Sequence, residues 1–481
     1  MRHHLICQHT KNICLSLMLI VFSFSVGFSQ ISDETAYKEG EFIIQLSEYS
    51  DPASLESSFL QYNLVNKKLL SRRMNIWLFE YDYTNMKPAD HESLLSQVKY
   101  NDDVLIAQFN HYVKERASFP NDQYFNNQWD MHNTGQSGGV PDADIDGPEA
   151  WDLSIGGTTA QGDEIVSAVI DGGAYLNHVD LDFWKNINEI PNNGIDDDGN
   201  GYIDDYDGWN AYNSNGNIPS SSHGTHVSGT VGAIGNNNTG VTGVNWNVKV
   251  MPIAGSSGTE SVVVEAYGYV FEMRTIYNET DGALGAFVVS TNSSFGVDYG
   301  NPDNYPIWCA MYDSMGSVGI LSAAATANIN INIDVAGDVP TACPSDYMIA
   351  VTNTTDDDVK NSGAAYGLTT IDLGAPGTNI YSTTPNNNYG YMTGTSMATP
   401  HVTGAVALLY AAACPGFIQG YKNDPGTYAL LIKQFILDGT DLLPSLDGIT
   451  VSGGRLNIFN SIVLLQAYQC GTTIEHTPLT D

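Results

Sequence analysis

The chain has 481 residues, 42% of them apolar, and its 18 basic and 54 acidic side chains give a formal charge of -36. That length holds two or three domains with a large core, and so acidic a surface excludes binding to nucleic acid or anionic lipid by phosphate neutralisation. Eleven of the basic residues precede position 117, and beyond it seven basic side chains stand against forty acidic ones, so cations suit the C-terminal part.

The first stretch reads as an address. Arg2, His3, His4 and Lys11 precede the apolar run 15–26, with Gly27 and Ser29 at cleavage positions, which predicts a signal peptide over 1–29. The run is short for a membrane span, and no later stretch holds 18 uninterrupted apolar residues. A secreted, extracellular protein with no membrane role after signal removal is expected, with an uncleaved anchor as the alternative. Cys309, Cys343, Cys414 and Cys470 then remain, and four cysteines allow three pairings. Nearness in sequence favours Cys309 with Cys343 and Cys414 with Cys470, against free buried thiols.

From about 40 to 112 the patterns are short: strand-like at 41–46, 75–81 and 104–109, helical at 52–62 and 91–98. Such alternation predicts a small α/β sandwich, assigned to 30–116. An Asn- and Gly-rich stretch follows to about 155. Buried-looking runs at 165–170, 248–254, 286–291 and 319–325 then alternate with helical patterns. This predicts a doubly wound, mainly parallel sheet flanked by helices over 117–481, whose sites gather at the carboxyl ends of the strands.

Three short motifs and one acidic loop carry chemistry. IVSAVI runs straight into Asp171, Gly172 and Gly173, fixing a carboxylate on a tight turn; alone, this reads as a structural turn aspartate. DDDGNGYIDDYD at 196–207 places Asp196, Asp198 and Asn200 at positions 1, 3 and 5 of a calcium loop, with Gly201 at the sharp turn. Tyr202 would give its carbonyl at position 7, with Asp204 at 9 and Asp207 at 12. Clustered carboxylates repel one another without a cation, so structural Ca2+ is the expected cofactor and a solvated acidic turn the alternative. Asp356, Asp357 and Asp358 form a second acidic run, read as a surface turn. SSHGTHVSGT (221–230) sets His223 at the mouth of a helix, and GTSMATPHVTGAVALL (394–409) sets Ser396 just before another, with Pro400 expected in its first turn.

Asp, His and Ser in that chain order, each in a Gly-rich turn, resemble the subtilase family of subtilisin-like serine proteases, over nearly the whole chain from about 40 to 462. The resemblance implies a serine endopeptidase acting on polypeptide substrates through an acyl-enzyme. Ser396 would be the nucleophile, His223 the general base and Asp171 the group orienting the imidazole, with His226 a structural histidine. It also implies Asn328 and the Ser396 N–H as oxyanion donors, although Ala327 stands where the family has Gly. Gly172 stands where the family has Ser or Thr, and losing that hydroxyl predicts reduced catalysis.

Segments 290–296 and 322–326 resemble the strands flanking the main specificity pocket, with Ser294 and Gly296 pairing an extended peptide through main chain. That implies broad specificity, while Asp298 nearby would attract basic side chains. The domain before 116 resembles the inhibitor-type propeptide, a folding aid that covers the cleft until it is cut between Glu115 and Asn121. The mature protein is expected to act as a monomer. A calcium-stabilised binding protein that kept the scaffold and lost activity is the competing reading.

Overall fold

The computed structural model describes residues 37–469 apart from 48, 49, 85 and 112–117. The signal peptide, Cys470 and residues 115–117 of the expected cleavage interval lie outside these residues. By contacts the chain divides into two compact units, Met1–Glu115 and Arg116–Asp481.

The first unit contains β1 (Tyr37–Leu46), α1 (Pro52–Ser58), β2 (Val65–Ser71), β3 (Ile76–Glu80), α2 (Pro88–Lys99) and β4 (Val104–His111). Its strands pair antiparallel in the order β2-β3-β1-β4. Phe42, Ile44 and Leu46 alternate inward along β1 and meet Leu94, Leu95 and Val98 of α2 in one apolar cluster, the period-two and helical spacing that half-buried elements require.

The second unit opens with α3 (Gly147–Trp151), β5 (Val166–Asp171), β6 (Trp209–Asn210), α4 (Ser222–Gly232), β7 (Lys249–Ala254), α5 (Glu260–Glu279) and β8 (Val288–Ser293). Next come β9 (Val297–Asp298), α6 (Pro306–Ser317), β10 (Leu321–Ala325), α7 (Ile333–Ala336), β11 (Asp338–Val339), β12 (Met348–Thr354) and β13 (Leu373–Pro376). It closes with β14 (Ile380–Thr384), β15 (Asn388–Met392), α8 (Thr395–Ala412), α9 (Pro415–Asn423), α10 (Pro425–Asp438), β16 (Asp441–Leu442), β17 (Gly454–Arg455) and α11 (Ile458–Gln469).

Nine strands form the sheet in the order β16-β17-β13-β12-β10-β8-β5-β7-β6. All neighbours are parallel except β16 with β17. Val169 of β5 faces a core with α4 and α8, while Ala168 and Ile170 face a second core with α5 and α6. Both faces of the sheet are therefore covered, as its continuous apolar strands demand. The chain leaves β5 for β7 on one side and returns to β8 on the other, so β5 marks a change of winding direction, and its last residue is Asp171. No single helix among the described residues is long and apolar enough to cross a membrane.

One sequence expectation shifts and another holds. Pro400 lies in the second turn of α8, since the helix begins at Thr395. A proline there cannot donate to the carbonyl four residues back, and that carbonyl, on Ser396, instead accepts the Ser294 hydroxyl at 2.9 Å. Cys309 and Cys343 are joined, Cα to Cα 5.2 Å, tying α6 to the segment after β11.

Candidate active site

Asp171 ends β5 with its side chain only 4% exposed, and its Oδ2 bonds His223 Nδ1 at 2.7 Å. The other oxygen accepts the Gly172 N–H at 2.7 Å and, at 3.5 Å, the hydroxyl of Ser221. Ser221 is also the N-cap of α4, accepting from the Gly224 N–H at 3.1 Å. The cap that starts the helix therefore also steadies the carboxylate that holds the second residue of that helix. Gly224 permits this approach, because a Cβ there would stand 2.0 Å from the Gly173 carbonyl.

Burial acts to lower the pKa of His223, but the hydrogen bond and charge of Asp171 outweigh it and the net shift is upward. His226 is wholly buried on the same helix and shares its Nε2 between the Ile380 and Gly390 carbonyls at 3.0 and 3.1 Å. Burial first, opposed by those two contacts, takes its pKa down to about 4. It fastens the β14–β15 hairpin to α4.

Ser396 sits in the first turn of α8, where backbone N–H groups have no helical partner and the helix dipole is positive. Its hydroxyl donates to the Ser294 carbonyl at 3.3 Å. Asn328 follows β10, its Oδ1 accepts the Thr395 N–H at 3.0 Å, and it lines the same cavity as Ser396. Ala327 has no left-handed backbone, and its methyl packs with Ile333, Ala350, Ala365 and Ile371. The fold accommodates this departure from the family pattern.

Gly172 is compensated too. A Cβ there would meet the Ser221 hydroxyl at 3.3 Å, the group that already reaches Asp171. Ser221 thus offers the Asp171 carboxylate a hydroxyl where Gly172 has none. Ser294 and Gly296 line a cavity of about 70 Å3 with Asn328 and Ser396. At Gly296 a side chain would come within 2.5 Å of the Val339 carbonyl, so only glycine lets these two walls close.

The acidic loop brings together only part of the predicted ligand set. Asp196 and Asp198 gather with Glu189, their oxygens all within 4.8 Å of one another. Glu189 is 3% exposed and its Oε2 has no hydrogen-bond partner. Asp204 instead accepts from the Asn193 and Gly194 N–H groups, and Asp207 pairs with Lys185 at 2.5 Å. Asn200 Oδ1 accepts the Tyr202 N–H at 2.7 Å and its amide bonds Asp205. Asp204 and Asp207 thus lie outside the group that Glu189, Asp196 and Asp198 form. Asp358 of the other acidic run pairs with the buried guanidinium of Arg455.

Glu189, Ser221 and Asp338, a buried carboxylate lining the cavity, escaped the sequence reading. Ser221 stood in the quoted SSHGTH run as an N-cap type, which is the one signal that could have found it.

Residues 162–440, spanning all three motifs, match the model of the Subtilase family. The chain is 30% identical to the Thermophilic serine proteinase of Bacillus sp. (strain AK1), covering 89% of each chain. It is 30% identical to Subtilisin-like protease 1 of Plasmodium falciparum (isolate 3D7) over 62% of this chain and 43% of that one. It thus spans about half the length of the first such relatives. Among solved structures it resembles proteases from Pseudoalteromonas arctica PAMC 21717 at TM-score 0.51 and 24% identity, over 72% of this chain and 100% of that chain.

Proposed function

This chain belongs to the subtilase family, and from that premise we propose that it is a secreted serine endopeptidase with Asp171, His223 and Ser396 as its triad. The observation that carries the reading is the buried Asp171 carboxylate fixed to His223 at 2.7 Å, and Ser396, with Asn328, on the wall of a cavity supports it.

The Ser396 hydroxyl gives its proton to His223 Nε2 as its oxygen bonds the substrate carbonyl carbon. The resulting oxyanion takes hydrogen bonds from Asn328 Nδ2 and the Ser396 N–H, donors fixed before the charge develops. His223, its positive charge balanced by Asp171, then protonates the leaving amine as the C–N bond breaks, giving an acyl-enzyme. Water repeats the sequence through the same base and frees the acid. The substrate backbone would pair with the segment carrying Ser294 and Gly296 by strand addition.

Residues 1–29 would be the signal, 30–116 an inhibitor-type propeptide and 117–481 the peptidase. Calcium would be held by Glu189, Asp196 and Asp198, whose oxygen donors suit a hard cation and whose buried, unpaired Glu189 oxygen fits one. Its part would be structural, stiffening the connection that leads to His223.

The test is expression of the full chain beside Ser396→Ala. Wild type should shorten by about 90 residues beyond the signal, the span of the proposed propeptide, and digest a general protein substrate. The variant should do neither, losing roughly six orders of magnitude in turnover. Wild type that stays full length and inert with calcium present would overturn the reading.

A further inference from the structure

The cavity beside Ser396 has two carboxylates on its wall, Asp298 and Asp338. They are direct partners across the antiparallel β9–β11 pair, and like charges placed opposite one another destabilise a ribbon. Asp338 is 2% exposed, and its Oδ2 takes hydroxyl hydrogens from Thr326 (3.2 Å) and Thr341. Those donors are neutral, so they orient the charge without cancelling it. None of the seven basic side chains beyond position 117 lines the cavity.

We propose that this cavity takes a lysine or arginine side chain of the substrate, with Asp298 and Asp338 as its specificity-determining pair. The inference rests on Ser396 being the nucleophile, since only then does the cavity hold the residue preceding the scissile bond. A slim aliphatic stem passes between the walls carrying Phe295 and Ala325, and its cationic head relieves the repulsion between the two carboxylates. An aromatic or aliphatic side chain would bury both charges without a partner, which a site built around polar groups rejects strongly. Burial, with Asp298 adding to it, pushes the pKa of Asp338 up to about 6, so the test is run well above that value.

Reporter peptides differing only in the residue before the scissile bond (Lys, Arg, Leu, Phe or Gln) test this at pH 8 on the full chain. Lys and Arg should exceed Leu and Phe at least tenfold in kcat/KM. Asp298→Asn should cut that ratio severalfold, and Asp298→Lys, at an exposed position that folding tolerates, should abolish it. Cleavage favouring Leu or Phe, or a basic preference indifferent to both substitutions, overturns the inference and leaves the protease reading intact. A chain that cleaves none of the peptides and whose Ser396 takes no fluorophosphonate label overturns both.

Discussion

His223 must be neutral to accept a proton, and Asp171 favours its charged form. Activity should therefore be lost as pH falls through a midpoint above 6.5, the ordinary histidine value, and be full above it. Asp171→Asn removes the groups' attraction, so the midpoint of the kcat/KM profile should move down while the rate drops about 10^4-fold. A profile unmoved by this change would show that another group sets the limb. Ser221 acts on the same carboxylate from the other side. Ser221→Ala should lower kcat and cost about 1 kcal/mol of stability as a lost N-cap, whereas Gly172→Ser should gain little because Ser221 already occupies the role. Stopped assays and denaturant melts on the two variants separate these outcomes.

Among elements, the acidic loop gives the clearest test. Calcium should raise the melting temperature and a chelator lower it, by the linkage of a ligand that binds only the folded state. Glu189→Gln should erase most of that difference and Asp204→Asn little of it; equal sensitivity at both positions would make Asp204 a ligand as well. The strands and helices that bury a face were legible in the sequence. IVSAVI and α8 read as almost unbroken apolar runs because both sides of each are packed. The strand β2 was not legible: it carries Lys67 and Lys68, lies at the edge of its sheet and buries no residue fully, so no alternation was required of it. Asp171, His223 and Ser396 could be read because each stands in a local motif. Glu189 and Asp338 could not, since each meets its partners through folding: Glu189 from before the loop, Asp338 from the ribbon opposite Asp298.

Over the whole molecule, buried carboxylates shape the response to pH. Burial, with neighbouring Asp146 adding and two backbone N–H groups and Arg455 opposing, pushes Asp144 up to about 8. A carboxyl raised in the folded state binds its proton more tightly there than when unfolded, so stability falls as pH rises toward that value. Below 6.5 the depressed pKa of His226 acts in the opposite sense, because the unfolded chain gains the proton that the folded one refuses. At fixed calcium, unfolding free energy should thus decline between pH 6.5 and 8, by at most about 1.4 kcal/mol per unit for one group. Asp144→Asn should flatten that slope, as urea titrations at the two pH values would reveal.

The helix α8 has fifteen of its eighteen residues buried, yet its first turn carries Ser396, the proposed nucleophile. A segment packed on all sides opens only when the domain does, so its amides should exchange with solvent at the rate of global unfolding. The serine then has no private route to disorder: on heating, hydrolysis should persist up to the cooperative transition and vanish with it, and no partly frayed, inactive but folded form should intervene.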